Sequence, residues 1–380
     1  PVKEFGLTWH NESMILKGMM NAIPEEARSK VQGVVFAAKS KDDNVTNPQN
    51  PSHALLRAGL NGQLAPFMGA NSDAAGTPRA KLPPGHMIAS TTPVVINNSN
   101  DAGALVKKHQ LANQLSPVAL DKILKAAAGM SETALCEFNK KSLSEQLAAV
   151  CGCKHDKSMD IMTKFSEGNV TPALDANIQA VFGERANSQV ATYAKLLSNN
   201  FVGLGVTLRG GYDYHVGNRH VGDAKDLVLG DDIGRMIQYA DAIKKPISII
   251  LISDGSALST GVRASGYNAA LRMRLENNEN RPDLVDVIAN EGAGQKMTWV
   301  TDASGVRGAI VMFVYHPNGV KTVKENPQVG AYENAGVVAD VNAISNSLPN
   351  AVATVTANWL ALSGRQGEVK GIVSSGIDSN

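Results

Sequence analysis

The sequence predicts an α/β fold with a mostly parallel central sheet, helices on both faces and a helical insertion. Beyond residue 200, short β-branched apolar runs alternate with helical spacing, which is typical of a parallel sheet covered on both faces. Between residues 101 and 199 the apolar spacing is helical, which indicates an inserted helical layer. We therefore expect an α/β core from 1–100 and 200–370, a helical insertion at 101–199, and a polar C-terminal tail at 371–380.

Each element is predicted from apolar periodicity and from the turn residues that bound it. The predicted strands are Val31–Ala38, Val94–Ile96, Phe201–Leu208, Ile247–Ser253, Met297–Thr301 and Ala309–Tyr315. The predicted core helices are Asp226–Ile243, Pro282–Asn290, Asp340–Ser347 and Ala351–Leu362. Another helix is expected to begin at Ser52, after the polar loop Asp42–Pro51, with the Ser52 hydroxyl as its N-cap.

Composition and charge exclude two classes of partner. Hydrophobic residues make up 43% of the 380, and 36 basic against 35 acidic residues leave a formal charge of +1. Without a clustered basic face, nucleic acid is not an expected partner. No apolar run approaches the roughly 20 residues that cross a bilayer, so no transmembrane segment is expected.

The start of the chain and its cysteines bear on location. The chain begins at Pro1 without an initiating Met or a charged and apolar leader, so we expect either a mature, exported protein after cleavage or a truncated chain. Cys136, Cys151 and Cys153 allow one bridge in an oxidising compartment, or free thiols. The cluster Cys151-Gly-Cys153-Lys-His155 is also an incomplete soft-metal pattern, because a fourth ligand is missing nearby.

Acidic and imidazole side chains follow several predicted strands. They are Asp213 and His215 after the strand Phe201–Leu208, and Asp254, Asp302 and His316 after the next three strands. Ligands of open α/β sheets collect at the carboxyl ends of strands, so these groups are expected at one edge, as a hydrolytic metal site requires. Each one alone is more typical of turn or cap chemistry than of a metal site.

Three segments resemble a known group in the same order along the chain. Arg209-Gly210-Gly211-Tyr212-Asp213-Tyr214-His215 resembles the Gly-Gly-Phe/Trp-Asp-Thr-His motif of exported proteins related to alkaline phosphatases and sulfatases. Leu251-Ile252-Ser253-Asp254-Gly255-Ser256 is similar to that group's strand ending in Ser-Glu-Phe-Gly, and Pro51-Ser52-His53 to its Ser-His segment. The resemblance implies an alkaline-phosphatase-like fold from about residue 31 to residue 363.

The resemblance also implies roles for individual residues. Asp213 and His215 match metal ligands, Asp302 begins the segment that matches a later Asp-His-Gly motif, and Ser52 matches the nucleophile, which is expected to be vestigial. Two departures from the group matter more. Asp302-Ala303-Ser304-Gly305 lacks the imidazole of the Asp-His-Gly motif, and the Asp-containing, Gly-rich strand end near the start of the group's sequences has no match before Val31. Losing ligands weakens metal binding, although His220, His316 or Asp254 are candidate substitutes.

Three functions remain open from the sequence. The first is a non-catalytic, exported protein on a degenerate hydrolase scaffold, which self-associates as an extracellular structural or binding subunit and needs no cofactor. Near-zero net charge permits such association, because the subunits do not repel one another. The second is a metal-dependent phosphate or sulfate ester hydrolase with a divalent metal. The third is a carbohydrate-binding or surface-binding module that uses the loops at 42–50 and 97–101.

Overall fold

A computed structural model gives the fold of the chain. It describes residues 1–37, 51–69, 93–109, 170–207, 209–210, 212, 219–252, 257–262, 266–288, 296–301, 309–320, 327–333, 339, 348–362, 365 and 368. The chain divides into two compact units, one formed by Pro1–Val95 with Leu197–Asn380 and the other by Ile96–Leu196. Among the described helices, none is long and apolar enough to cross a membrane.

The first unit is a mixed α/β structure with several sheets. Its strands are β1 (Val2–Glu4), β2 (Leu7–Trp9), β3 (Val31–Ala37), β4 (Ala65–Gly69), β5 (Val94–Val95), β6 (Val202–Val206), β7 (Ile247–Ile252), β8 (Ala257–Val262), β9 (Lys296–Thr301), β10 (Ala309–Tyr315) and β11 (Gln328–Val329). Its helices are α1 (Met14–Ala22), α2 (Glu25–Arg28), α3 (Ser52–Arg57), α7 (Arg219–Ala242), α8 (Tyr267–Asn277) and α9 (Leu348–Leu362), with a 3₁₀ helix at Pro282–Ile288.

The described part of the second unit is helical. It contains α4 (Ser99–His109), α5 (Ala176–Phe182) and most of α6 (Gln189–Ser198), with 3₁₀ turns at Pro172–Leu174 and Gly183–Asn187. The Asp175 side chain caps α5, because its Oδ1 accepts hydrogen bonds from the backbone N–H groups of Asn177 and Ile178. The same carboxylate pairs with Lys195 of α6, which ties the two helices together.

The largest sheet has the strand order β11-β3-β10-β7 and is mostly antiparallel. β10 runs antiparallel to both β3 and β7, and only the short β11 runs parallel to β3. The prediction of a mostly parallel central sheet is therefore wrong for this sheet. Its strands are packed on both faces, and a doubly covered strand is apolar throughout whichever way its neighbours run.

Alternate residues of β10 form the two cores beside this sheet. Phe313 and Tyr315 belong to a cluster with residues of α1 and α7, whereas Ile310, Met312 and Val314 belong to a cluster with residues of α9. The sheet therefore carries helices on both faces. In register, Ile310 lies opposite Phe36 of β3 and Ile252 of β7, and these pairs continue each core across neighbouring strands.

A second sheet is all-parallel and has the order β5-β4-β6. The segment before β4 approaches β6 closely, since a Cβ atom on Gly203 would lie 2.7 Å from the Asn61 backbone. Only glycine fits at this contact. The carboxyl ends of the three strands lie at the same edge, and the chain leaves β6 there toward Arg209.

Several elements differ from the sequence prediction. The predicted helix Pro282–Asn290 is a 3₁₀ helix that ends at Ile288, and the long helix begins at Arg219 rather than Asp226. The N-terminal hairpin, α1, β4, β8 and α8 were not predicted. The predicted helix Asp340–Ser347 lies outside the described residues, as do all three cysteines.

Helices α1 and α7 pack at unusually short range. The Ser13 hydroxyl accepts a hydrogen bond from the Leu16 N–H and caps α1. A Cβ atom on Gly18 would lie 2.3 Å from the Leu227 carbonyl oxygen, and one on Gly230 would lie 2.1 Å from the Ile15 carbonyl oxygen. Backbone therefore meets backbone at this crossing, and it has no space for a side chain.

Gly230→Ala tests this close contact. Alanine has the higher intrinsic helix propensity by roughly 1 kcal/mol, yet we expect a net loss of about 1–3 kcal/mol because the added methyl forces the helices apart. Urea unfolding measures the change. The control is Gly210→Ala, since a Cβ atom there meets nothing within 4 Å. Equal stability of Gly230→Ala and the parent chain would contradict the packing.

Candidate functional site

Most of the predicted site residues lie outside the described residues. Asp213, His215, Asp254 and Asp302 are among them, so their convergence at one edge stays a prediction. Within the described segments, no group of three or more His, Cys, Asp or Glu side chains is placed to hold a metal ion. The described residues alone therefore do not make a metal site.

Ser52 is described, and its surroundings differ from the prediction. It is the first residue of α3 and is only 2% exposed. The N-cap position belongs to Pro51 and carries no side-chain capping bond, so the predicted capping role of Ser52 is wrong. Proline precedes the helix because its fixed φ suits a helix start. The role of Ser52 as a vestigial nucleophile stays a prediction, and its hydroxyl is buried.

The two histidines that are candidate substitute ligands lie on different elements. His220 is in the first turn of α7 and is partly buried. His316 directly follows β10 and forms a turn, in which its Nδ1 accepts a hydrogen bond from the Asn318 N–H at 3.2 Å. This interaction of His316 belongs to a turn, which is the role that turn chemistry would give a polar residue after a strand.

Six described charged groups converge beside α7 around a buried centre. We call this group the ionic cluster, and its members are Arg209, Asp231, Asp232, Arg235, Arg281 and Asp283. At its centre Arg281 is 3% exposed, and its Nη2 donates to Asp231 Oδ2 at 2.6 Å. The same guanidinium donates through Nε and Nη2 to the two carboxylate oxygens of Asp283, each at 2.8 Å.

The rest of the ionic cluster extends from this centre. Arg235, one turn along α7, donates from Nε to Asp231 Oδ2 at 2.7 Å. Arg209 donates from Nη2 to Asp232 Oδ2 at 2.6 Å. Three arginines therefore face three aspartates. Pairing is required for the buried members Asp231, Asp232 and Arg281, because a buried unpaired charge costs several kcal/mol.

The pairing shifts the pKa values of two members. The hydrogen bonds from Arg281 hold the pKa of the Asp283 carboxyl below its usual value. Burial would lower the pKa of Arg281, but its hydrogen bonds to Asp283 and its attraction to Asp231 outweigh burial and raise it. Both groups therefore stay charged at neutral pH, and neither is poised to exchange a proton there.

The ionic cluster holds the start of the Gly-Gly-Tyr-Asp-Tyr-His segment against α7. Arg209 is attached at Asp232, and the Lys225 ammonium lies 5.8 Å from the centre of the Tyr212 ring. Asp232 and Lys225 are seven residues apart and so lie on the same side of the helix. Arg209 and Tyr212 therefore contact the same side of α7, with Tyr212 nearer to the N-terminus of the helix. Burial raises the pKa of the Tyr212 hydroxyl, and the nearby Asp226 raises it further.

Two more buried aspartates of α7 are paired. Asp223 accepts hydrogen bonds from Arg219 at 2.8 Å and from the Tyr267 hydroxyl of α8. Asp241 accepts from the Tyr315 hydroxyl of β10 at 2.5 Å, from Lys244 at 3.0 Å and from Lys30 at 3.2 Å. The buried carboxylates of α7 thus connect it to surrounding elements.

Sequence reasoning did not find this cluster. The available signal was the pair Asp231-Asp232 inside a predicted core helix, between Gly230 and Ile233. Two adjacent acids in such a place need cationic partners, but the sequence does not identify them. Arg281 is fifty residues away along the chain, and the fold alone brings it to Asp231.

Comparisons with known proteins give no match. A scan of protein-family models, a search of curated proteins and a search of solved structures each found none for this chain. The alkaline-phosphatase-like resemblance therefore stays a hypothesis from the motifs.

Arg281→Ala tests the energetic weight of the ionic cluster. It leaves the fully buried Asp231 without its closest partner, so we expect a loss of about 3–5 kcal/mol in the free energy of unfolding. Chemical denaturation measures it. Lys244→Ala is the control, because that side chain is 62% exposed and its pair with Asp241 is expected to contribute less than about 1 kcal/mol. Similar losses for both variants would show that the cluster is not a buried ionic centre.

Proposed function

We propose that this protein is a non-catalytic, exported subunit that self-associates through strand β7. The observation that carries the proposal is the edge of the largest sheet. β7 lies at the end of the order β11-β3-β10-β7, and within the described residues its other side pairs with no strand. A sheet edge offers a row of backbone N–H and C=O groups to a further strand.

The residues of β7 favour pairing with a further strand, because they lack the features that protect sheet edges from association. Its sequence, Ile-Ser-Ile-Ile-Leu-Ile, contains no charge and no proline, which are the residues that natural edges use to prevent association. Ser248 to Ile252 are only half-buried, although their side chains border both cores, whereas most of the neighbouring β10 is fully buried. One more strand beside β7 would bury this surface.

The ionic cluster supports a non-catalytic role. The carboxylates of Asp231 and Asp232, beside the motif segment, are engaged by arginines at 2.6–2.7 Å. The Oδ2 atom of each carboxylate already accepts charge-assisted hydrogen bonds, which makes it a poorer ligand for a hard cation. Their arrangement therefore supports structure rather than turnover. The assignment to exported proteins rests on the motif resemblance alone.

Ser248→Lys tests the self-association. A lysine on an edge strand discourages pairing, because a second strand would bring its charge into an apolar row. We expect light scattering to report at least twice the 40.0 kDa chain mass for the parent protein and the single-chain mass for the variant.

Asn277→Lys on α8 is the matched control, since it adds the same charge to an exposed position away from β7. It is expected to keep the parent's mass. A parent chain that stays monomeric at all concentrations would remove the proposed function, and a variant that assembles like the parent would remove β7 from it.

One observation favours a second candidate, a metal-dependent phosphate or sulfate ester hydrolase. Arg209 follows β6 of the all-parallel sheet, and strand carboxyl ends are where such sheets bind ligands. With Tyr212 also held on α7, the chain enters the segment of Asp213 and His215 from a fixed position. Those two residues would be the metal ligands in this candidate function.

Asp213→Ala separates the two functions. If Asp213 is a ligand, the parent chain purified without chelators contains zinc or manganese by elemental analysis and turns over an aryl phosphate or sulfate. The variant then loses both with little loss of fold. Asp286→Ala, at an exposed acid, is the control. A metal-free, inactive parent chain eliminates the hydrolase.

A further inference from the structure

We infer that the strand added to β7 is β7 of a second copy, paired antiparallel across a twofold axis perpendicular to the sheet. The inference rests on the proposed self-association and names its partner and its geometry. An antiparallel pair lets both copies use the same edge, and most homo-oligomers close with such twofold symmetry. Two four-stranded sheets would then become one continuous sheet.

The strand is suited to pairing with itself. None of the six side chains is charged, and the whole chain carries only +1, so two copies meet without repulsion at the edge. Isoleucine opposite isoleucine is among the most favourable cross-strand combinations, because β-branched side chains pack well on a pleated surface. The exposed Lys244 and Lys245 precede the strand and limit how far the pairing extends.

The symmetry restricts the register. In an antiparallel pair the residues that lie opposite each other point to the same face, and backbone groups point outward at every second residue. Under a twofold axis, two opposite residues must therefore have numbers that are both odd or both even. It follows that one residue lies opposite its own copy, and for a strand of this length that residue is Ile249 or Ile250.

The two registers continue the cores differently. Ile249 borders the cluster beside α1 and α7, whereas Ile250 borders the cluster beside α9. In either register both cores run through the axis into the second copy, since neighbouring side chains on each face also pair. The half-buried residues of β7 then have a neighbouring strand on each side, as β10 already has.

Single cysteines at the axis test the geometry. With Ile249→Cys and Ile250→Cys, we expect mild oxidation to link one of the two variants to its own copy, because opposite Cβ atoms lie about 4.5–5.5 Å apart. Peptide mapping identifies the homotypic disulfide apart from the native cysteines. Met273→Cys is the control for random collision, since this α8 side chain is 61% exposed and distant in sequence from β7.

A second measurement leaves the strand unchanged. Nitroxide labels on Lys244→Cys, five or six residues before the axis, are expected roughly 30–40 Å apart in the dimer by pulsed electron resonance. An assembly by light scattering with neither cysteine linked and no such distance overturns the twofold pairing but leaves self-association standing. A strictly monomeric parent chain overturns both.

Discussion

Helix α7 is built around a constraint: it carries aspartates into the interior of its unit, and each must find a positive or hydrogen-bonding partner there. Asp231 is 0% exposed and Asp241 is 7% exposed. Because an unpaired buried carboxylate costs more than most single interactions contribute, the surrounding elements are placed by these pairs. Asp231 binds Arg281 just before the 3₁₀ helix, and Asp241 binds Tyr315 of β10. Asp232 binds Arg209, which follows β6.

The close packing of α1 on α7 reinforces this constraint. Gly18 and Gly230 let the two backbones meet, which excludes the water that would otherwise solvate Asp231 from that side. Arg281, Arg235 and the side-chain amide of Asn21 on α1 then donate to the Asp231 carboxylate in place of water. Close glycine packing and ion pairing therefore occur together around Asp231.

Sequence patterns predicted the bounds of three central strands well, but they missed several shorter strands and predicted poorly how the strands pair. β10 was predicted to the residue, and β3 and β7 to within one residue, because continuous β-branched runs end at turn residues. Strand direction depends on distant pairing, so the antiparallel β10 was not foreseen. The acids of α7 interrupt its apolar spacing and concealed its first two turns. In the same way, the ionic cluster depends on Arg281, whose proximity to Asp231 exists only in the fold.

Two sets of polar groups in the described part of the first unit contrast with each other. The buried side-chain carboxylates of α7 accept hydrogen bonds from arginine, lysine and tyrosine side chains of the same unit. On the outer edge of β7, in contrast, the backbone groups have no strand beside them in the described residues. The self-association that we propose therefore depends on backbone pairing along an apolar strand and not on these charged side chains. A near-neutral chain needs no electrostatic steering for such a contact, because hydrogen bonds and apolar burial supply its free energy.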